Sequence, residues 1–461
     1  MENIRLQPPC GTVAMRFVPT NIQQASHSPQ LNANPYATHS LEKSRPVRLT
    51  PSPRAFIRGG IGATWALTGL EPDRVHGAAS GLRAKAELNS MRVLFIVRAL
   101  TIGGAERQLV VLARALAARG HAVTITTLYP GGPLEAELAG SDVVLHDLGK
   151  ARRWEAARTL VRLRGLIAAT RPDVVHGYLN VANLLALIAR SLRPRPRIVF
   201  GLRASDVTHP GDGLARLAHR LEARLAAFAD LTIANSRAGR EAALQRGFPA
   251  ERLVVVPNGI DLGVFRPDAA ARARARARWG IPDTAVLIGH VGRVDPMKDH
   301  PTFLAALARL KQGDAAFRAV IIASAHEATR TALAADAARL GLQDCVRVEP
   351  AQRDMPEAYN GFDLLCSSSA WGEGFPNVVA EAMACGTPVV ATNVGDAPDL
   401  LLGPEWLAAA GDPHDLATVL GAALTRPSPP RALVRAAIEG YSIEALATRT
   451  ERALEHLVSG R

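Results

Sequence analysis

Lysine is rare in this sequence, with five residues among 461 against 49 arginines. A lysine inside a motif is therefore hard to ascribe to composition. Cysteine is also rare: Cys10, Cys345, Cys366 and Cys385 show no metal-ligand spacing, which excludes a disulfide framework and predicts buried thiols in a reducing compartment. No apolar run reaches the roughly 18 residues of a membrane span, and the stretch from Gly59 to Leu70 is too short and too glycine-rich. Aromatics make up only 5% beside 38 glycines, which argues for an α/β enzyme over a sandwich. No G-x-G-x-x-G fingerprint occurs, and neither Asp-x-Asp nor His/Cys metal spacing is present, so a metal-independent chemistry is expected. Acidic residues number 42 against 54 basic ones, and the net charge of +12 invites a nucleic-acid or anionic-surface partner.

Residues 1–90 differ from the rest. They are rich in Pro, Ser, Asn and Arg, carry no sustained apolar period, and are expected to be a disordered extension. A transit peptide fits their composition. A misassigned start fits better, because Met91 leads at once into the apolar run Arg92–Val97.

From there short β-branched runs alternate with Ala/Leu/Arg helical patterns, the mark of βαβ units and parallel sheets covered on both faces. Strands are predicted at Arg92–Val97, Ala122–Thr127, Val143–Leu145, Val174–Tyr178, Ile198–Leu202, Leu231–Ala234 and Leu253–Val256. After a turn-rich stretch they resume at Ala285–Val291, Ala319–Ala323, Val346–Val348, Asp363–Cys366 and Pro388–Ala391. Two doubly wound, Rossmann-like domains are expected, at 91–266 and 267–440, with residues 441–461 forming a last helix. Open sheets bind ligands at their strand C-termini, so the site is expected in the cleft between the domains.

The most informative stretch, Ser367 to Val390, follows a strand and opens a helix. Gly372 and Gly374 flank Glu373 and permit close backbone approach to a ligand. Pro376 suits a first helical turn, and the amides near Asn377 and Val378 are then free to face an anion. Glu381 lies one to two turns on, so two carboxylates can converge on one ligand. A lone Glu pair would read as solvated surface acids; this setting argues otherwise. The stretch resembles the E-x7-E motif of glycosyltransferase family 4, retaining enzymes of GT-B fold that use nucleotide sugars, and the likeness runs from about Met91 to the C-terminus.

The resemblance implies that Glu373 binds donor-sugar hydroxyls, that Gly374, Phe375, Asn377 and Val378 line the sugar and pyrophosphate, and that Glu381 takes the ribose hydroxyls. A second constellation, Gly289 to Asp299, carries Gly292, Arg293 and Lys298, whose two cations would stabilise the leaving diphosphate. In a third, Gly103 and Gly104 resemble the family's first glycine loop and would reach the donor phosphate. Many members carry a cleft histidine after the strand Ile198–Leu202. Here Arg203 stands instead, a candidate cation near the reacting centre. His176, at another strand end, is either a cleft residue or packed. No cofactor is implied beyond the nucleoside-diphosphate sugar, a substrate, and two departures, Ser324–Glu327 and Glu349–Pro350, leave its base open.

These implications describe a retaining hexosyltransferase acting on a glycan or lipid-linked saccharide in cell-surface polysaccharide biosynthesis, with epimerisation of a nucleotide sugar as the alternative. The expected location is cytoplasmic, or peripheral at the inner face of the cytoplasmic membrane. The stretch after residue 212 alternates Arg216, Arg220 and Arg224 with Leu214, Leu217, Leu221, Leu225 and Phe228. It is read first as a helix packed by its apolar face and second as a membrane-surface helix. Arg272, Arg274, Arg276 and Arg278 alternate at every second residue without aromatics, which argues against a nucleic-acid stripe. Oligomeric state is not legible.

Overall fold

The computed structural model describes residues 90–150, 155–203 and 213–460. The leading segment discussed above, residues 1–89, lies outside them. Thirteen strands form two wholly parallel sheets among the described residues. The first contains β1 (Arg92–Val97), β2 (Ala122–Thr127), β3 (Val144–Asp147), β4 (Val174–Tyr178), β5 (Arg197–Leu202), β6 (Leu231–Ala234) and β7 (Leu253–Val255), in the order β3-β2-β1-β4-β5-β6-β7. The second contains β8 (Leu287–Arg293), β9 (Arg318–Ser324), β10 (Val346–Pro350), β11 (Leu364–Ser367), β12 (Val389–Thr392) and β13 (Leu407–Ala408), in the order β10-β9-β8-β11-β12-β13. Both are doubly wound.

All twelve predicted strands are present; the two-residue β13 had no sequence signal. Central strands such as β1, β4 and β5 are buried along nearly their whole length because helices cover both faces, and this removes any in/out alternation. In each sheet the order reverses at one place, between β1 and β4 and between β8 and β11. At such a reversal the loops leaving adjacent strands part to opposite faces and open a crevice at the strand C-termini. The glycine loop after β1 and the Arg293–Lys298 and Ser367–Phe375 loops after β8 and β11 leave from these two reversals.

The chain passages that join the two sheets are pinned against the first. Gly259 exchanges both backbone hydrogen bonds with the Gln108 amide, at 2.8 and 2.9 Å. Ile260 bridges to Ser442, so the outgoing and returning chain passages lie side by side. There is no room at Gly259 for a side chain: a Cβ would sit 2.9 Å from Leu446 Cβ. The last helix, Ile443–Ser459, buries Leu446 and Leu454 in the core of the first sheet, and its Glu451 pairs with Arg119 at 2.7 Å and with His121 at 2.8 Å.

The arginine run proves structural. Helix Ala269–Trp279 directs Arg272 and Arg276 to Asp363, at 2.7 and 3.0 Å, and Arg274 and Arg278 to Glu357. Arg276, 1% exposed, also donates to the carbonyls of Gly361, Pro282 and Ala285. Much of the positive charge in this run is thus spent inside the second domain. Cys345, Cys366 and Cys385 are free and buried.

Candidate active site

The loop after β8 is built to present Lys298. Asp295 Oδ1 accepts the Lys298 backbone N–H at 3.1 Å. Asp299 adopts a left-handed conformation, φ 48°, and caps helix His300–Gln312 through the Thr302 N–H. Non-glycine residues enter that region only when their surroundings impose it. Gly292 clears the path of the lysine stem, since a Cβ there would lie 3.2 Å from Lys298 Cγ.

Behind this loop, Ser368 Oγ donates toward the carbonyls of Lys298 and Asp299, at 2.9 and 3.2 Å, and lies 3.0 Å from His290 Nε2. The hydroxyl proton is committed to a carbonyl, so the histidine must be the donor at Nε2. Burial keeps the ring neutral, with the neighbouring His300 and Lys298 acting in the same direction. His300 is pushed down to about 4, chiefly by burial. Ala370 N–H donates to Met297 O at 2.8 Å and ties the β11 loop to the β8 loop.

Across this frame Lys298 Nζ donates to Glu373 Oε1, and Ser369 Oγ donates to the same oxygen at 2.7 Å. Glu373 is 9% exposed. Burial would raise its carboxyl, but the Lys298 charge and hydrogen bond, the Ser369 hydroxyl and the Arg293 charge outweigh it and hold Glu373 below the usual carboxylate range. Glu373 therefore stays ionised. Arg293 is the more exposed cation and pairs with Asp295 at 2.9 Å.

Helix Asn377–Ala384 starts one residue after Pro376, and no side chain caps its N-terminus. Asn377 Oδ1 accepts from Asn258 Nδ2 at 2.9 Å. Its Nδ2 lies where a Cβ on Gly104 would approach to 3.0 Å, which seats the first glycine loop against this helix. Phe375 is buried, its ring 5.4 Å from that of Tyr441, and Val378 is partly buried. Glu381 Oε2 accepts from the Tyr359 hydroxyl at 2.8 Å. Burial pushes the Glu381 carboxyl up to about 7, against the Tyr359 bond and the charge of Arg107.

Gly103 and Gly104 open helix Gly104–Ala118, whose N-terminus has no side-chain cap. Glu106 folds back over that turn, so that a Cβ on Gly103 would meet Glu106 Oε2 at 2.2 Å. Burial raises the Glu106 carboxyl, while its own N–H and Arg293 pull the other way. Sequence reading missed this approach of Glu106 to Arg293, and likewise Arg107 beside Glu381, Tyr359, Ser369 and Asp396. Except for Ser369, whose partner Glu373 is four residues on, their partners lie far off in sequence and leave no local pattern.

His176 is fully buried, its ring centroid 5.2 Å from those of Phe95 and Tyr178, and neither nitrogen has a hydrogen-bond partner. Burial, then the Arg203 charge, pushes it well below its usual range. Of the two expectations for it, the packed one describes its surroundings. Arg203 is 9% exposed, with its guanidinium carbon 4.1 Å from the Tyr178 ring centroid.

Helix Gly213–Leu225 corrects the expectation of an apolar face turned inward. It buries Glu222, which accepts from Asn183 at 2.6 Å and pairs with Arg246 at 2.8 Å, and it leaves Leu217 and Leu221 exposed, as is Phe228 in the turn that follows it. Among the described residues no helix is long and apolar enough to cross a membrane, and no cluster of three His, Cys, Asp or Glu side chains is placed to hold a metal ion.

Residues 102–264 match the family described as Glycosyltransferase Family 4, and residues 285–426 match Glycosyl transferases group 1. A D-inositol 3-phosphate glycosyltransferase of Segniliparus rotundus is 36% identical over 43% of this chain and 43% of its own length. The enzyme of that name from Streptomyces scabiei is 30% identical over 69% of this chain and 78% of its own. With the first such relatives the match spans only about half their length, 43%, 58% and 42%. Among solved structures, Anabaena HepE in complex with UDP and glucose superposes with a TM-score of 0.68 at 23% identity, over 79% of this chain and 99% of that one. This likeness establishes a shared GT-B fold.

Proposed function

The chain belongs to glycosyltransferase family 4, and on that premise we propose that it moves a sugar from a nucleoside diphosphate to a saccharide acceptor with retention of configuration. The observation that carries the reading is the buried Lys298–Glu373 ion pair, held by Ser369 at the reversal between β8 and β11. It sets a cation and a carboxylate side by side where a sugar diphosphate would need both.

In this reading Glu373 accepts hydroxyls of the donor sugar, which an ionised carboxylate can do in pairs. Lys298 and Arg293 face the diphosphate. As the bond from the anomeric carbon to the phosphate oxygen breaks, negative charge grows on the departing group, and fixed cations in a water-poor site stabilise that transition state most. The uncapped N-termini at Gly103–Gly104 and at Asn377–Val378 offer backbone N–H groups to the phosphates. Glu381 takes the ribose hydroxyls. The acceptor oxygen bonds to the anomeric carbon on the face being vacated, and its proton passes to the departing phosphate oxygen. Positioning and charge then do the work without a side-chain base.

The acceptor in this proposal is a glycan or lipid-linked saccharide of the cell surface. The exposed Leu217, Leu221 and Phe228, interleaved with Arg216, Arg220 and Arg224, fit contact with an anionic membrane face. Solved relatives of the same fold hold UDP and UDP-glucose, which supports a nucleotide-sugar donor. The epimerase alternative finds no support among the relatives named above. The test is release of nucleoside diphosphate from a panel of nucleotide sugars with anomeric configuration of the product read by NMR. A product of inverted configuration, or conversion of donor without release of nucleoside diphosphate, overturns the proposal.

A further inference from the structure

The chain treats its buried and partly buried arginines in two ways. Arg276 is enclosed by Asp363 and three carbonyls, and Arg246, partly buried in the first domain, pairs with Glu222. Both are structural, with their charge answered by the fold. Arg203 is different. It is 9% exposed, and no carboxylate among the described residues pairs with it; its Nε, like those of Arg246 and Arg276, has no hydrogen-bond partner. A guanidinium brings five N–H donors and does not give up its charge. Holding one out of water without a counter-anion is costly, and the face of Tyr178 offsets only part of the cost. Its nearest polar neighbours are equally unanswered: both nitrogens of His176 and the Tyr178 hydroxyl are buried without partners.

The fold also says where this cation stands. Arg203 directly follows β5, at the C-terminal edge of the first sheet. Its carbonyl accepts from Asn235 Nδ2 at 3.3 Å, and the adjacent Ser236 caps helix Arg237–Gln245. The first amides of that helix donate to Asp396, whose own N–H donates to Gly374 O at 3.0 Å. Three short links thus join Arg203 to the loop that carries Glu373.

We infer that Arg203 anchors an oxyanion, a carboxylate or phosphate, borne by one of the two saccharides that meet in the cleft. The inference rests on the transferase reading and narrows its substrate class: either the donor sugar is a uronate or the acceptor is anionic. Arg203 is then a specificity residue, selecting on charge.

The test is calorimetric binding to wild type, Arg203→Gln and Arg203→Lys. UDP-glucose against UDP-glucuronate reports an anion on the donor. Inorganic phosphate added to protein saturated with UDP reports an anion on the acceptor side. Each arm is repeated in the guanosine and adenosine series. In one arm the charged ligand should bind wild type about tenfold or more tightly than Arg203→Gln, with the lysine variant intermediate and neutral ligands unchanged, and the arm that responds names the source. Equal binding of the charged ligands by wild type and Arg203→Gln in both arms overturns the inference alone. Failure of every nucleotide and nucleotide sugar to bind overturns the transferase reading beneath it. Thermal melting separates a structural role: an arginine needed only for packing lowers the melting temperature when replaced and leaves both arms unmoved.

Discussion

Asp396 of the second domain accepts the backbone N–H of Arg237 in the first at 2.8 Å, and its other oxygen accepts that of Ala238 at 2.9 Å. A carboxylate from one domain thereby caps a helix of the other. Arg237 adds a pair with Asp399 at 3.1 Å. Because Asp396 also donates its N–H to Gly374 O, the interdomain cap and the Glu373 loop share one residue. Gly395 is required beside it: its φ is 63°, and a Cβ would stand 2.5 Å from Gly374 O.

Replacing Asp396 by alanine should therefore have two effects. Loss of the cap should cost about 1–2 kcal/mol of stability in chemical denaturation. Donor affinity should fall several-fold, because the Glu373 loop loses its tie to the first domain. A variant with reduced stability and unchanged donor affinity would show the cap to be structural only.

Lys298→Ala and Glu373→Ala should each reduce transfer by about 100-fold or more, the loss typical when one group aimed at developing charge is removed. The lysine variant should also change the pH profile. With Lys298 gone, burial acts on Glu373 against weaker opposition, and its carboxyl rises. Activity remaining in that variant should then fall off at higher pH than in wild type as the solution is acidified. Residual activity within a few-fold of wild type in either variant would contradict the site assignment.

The strands were legible because helices cover both faces of each sheet, so central strands such as Arg92–Val97 and Arg197–Leu202 carry near-continuous apolar runs. Lys298 stood out because lysine is so rare in this chain. What the sequence could not show were partners brought in from a distance. Tyr359 reaches Glu381 from 22 residues away, and Glu222 meets Arg246 and Asn183 from 24 and 39. The last case inverted a helix: the leucine period between 214 and 225 is real, but two distant polar side chains make Glu222 the buried residue and turn Leu217 and Leu221 outward. His176 illustrates the converse, a polar residue at a strand end that is fully buried against the Phe95 and Tyr178 rings.

The same contrast predicts how the arginines divide. Arg276→Ala removes a fully buried cation from Asp363 and three carbonyls and should cost about 3 kcal/mol or more. Arg216→Ala, on an exposed helix face, should change stability by no more than about 0.5 kcal/mol. Urea denaturation of the two variants decides the matter. Equal small effects would mean that the run from Arg272 to Arg278 is not the internal staple its geometry describes.

Glu381 gives the site a pH dependence whose sign can be worked out. Its carboxyl, raised chiefly by burial from 4.5 to about 7, holds a proton in the folded protein over a range where the unfolded chain has released it. The folded state binds more protons there, so this group's contribution to stability falls as pH rises from about 4.5 to about 7. Donor binding should run the other way, because an ionised Glu381 accepts both ribose hydroxyls and a protonated one cannot. Apparent donor affinity should rise about tenfold between pH 6 and pH 8, as the competent fraction grows from about a tenth to nearly all. Glu381→Gln should flatten that profile at low affinity. In thermal melts it should also remove the group's share of the decline in stability of the donor-free protein over the same range. A wild-type donor affinity that stayed level from pH 6 to pH 8 would mean that Glu381 does not hold the ribose.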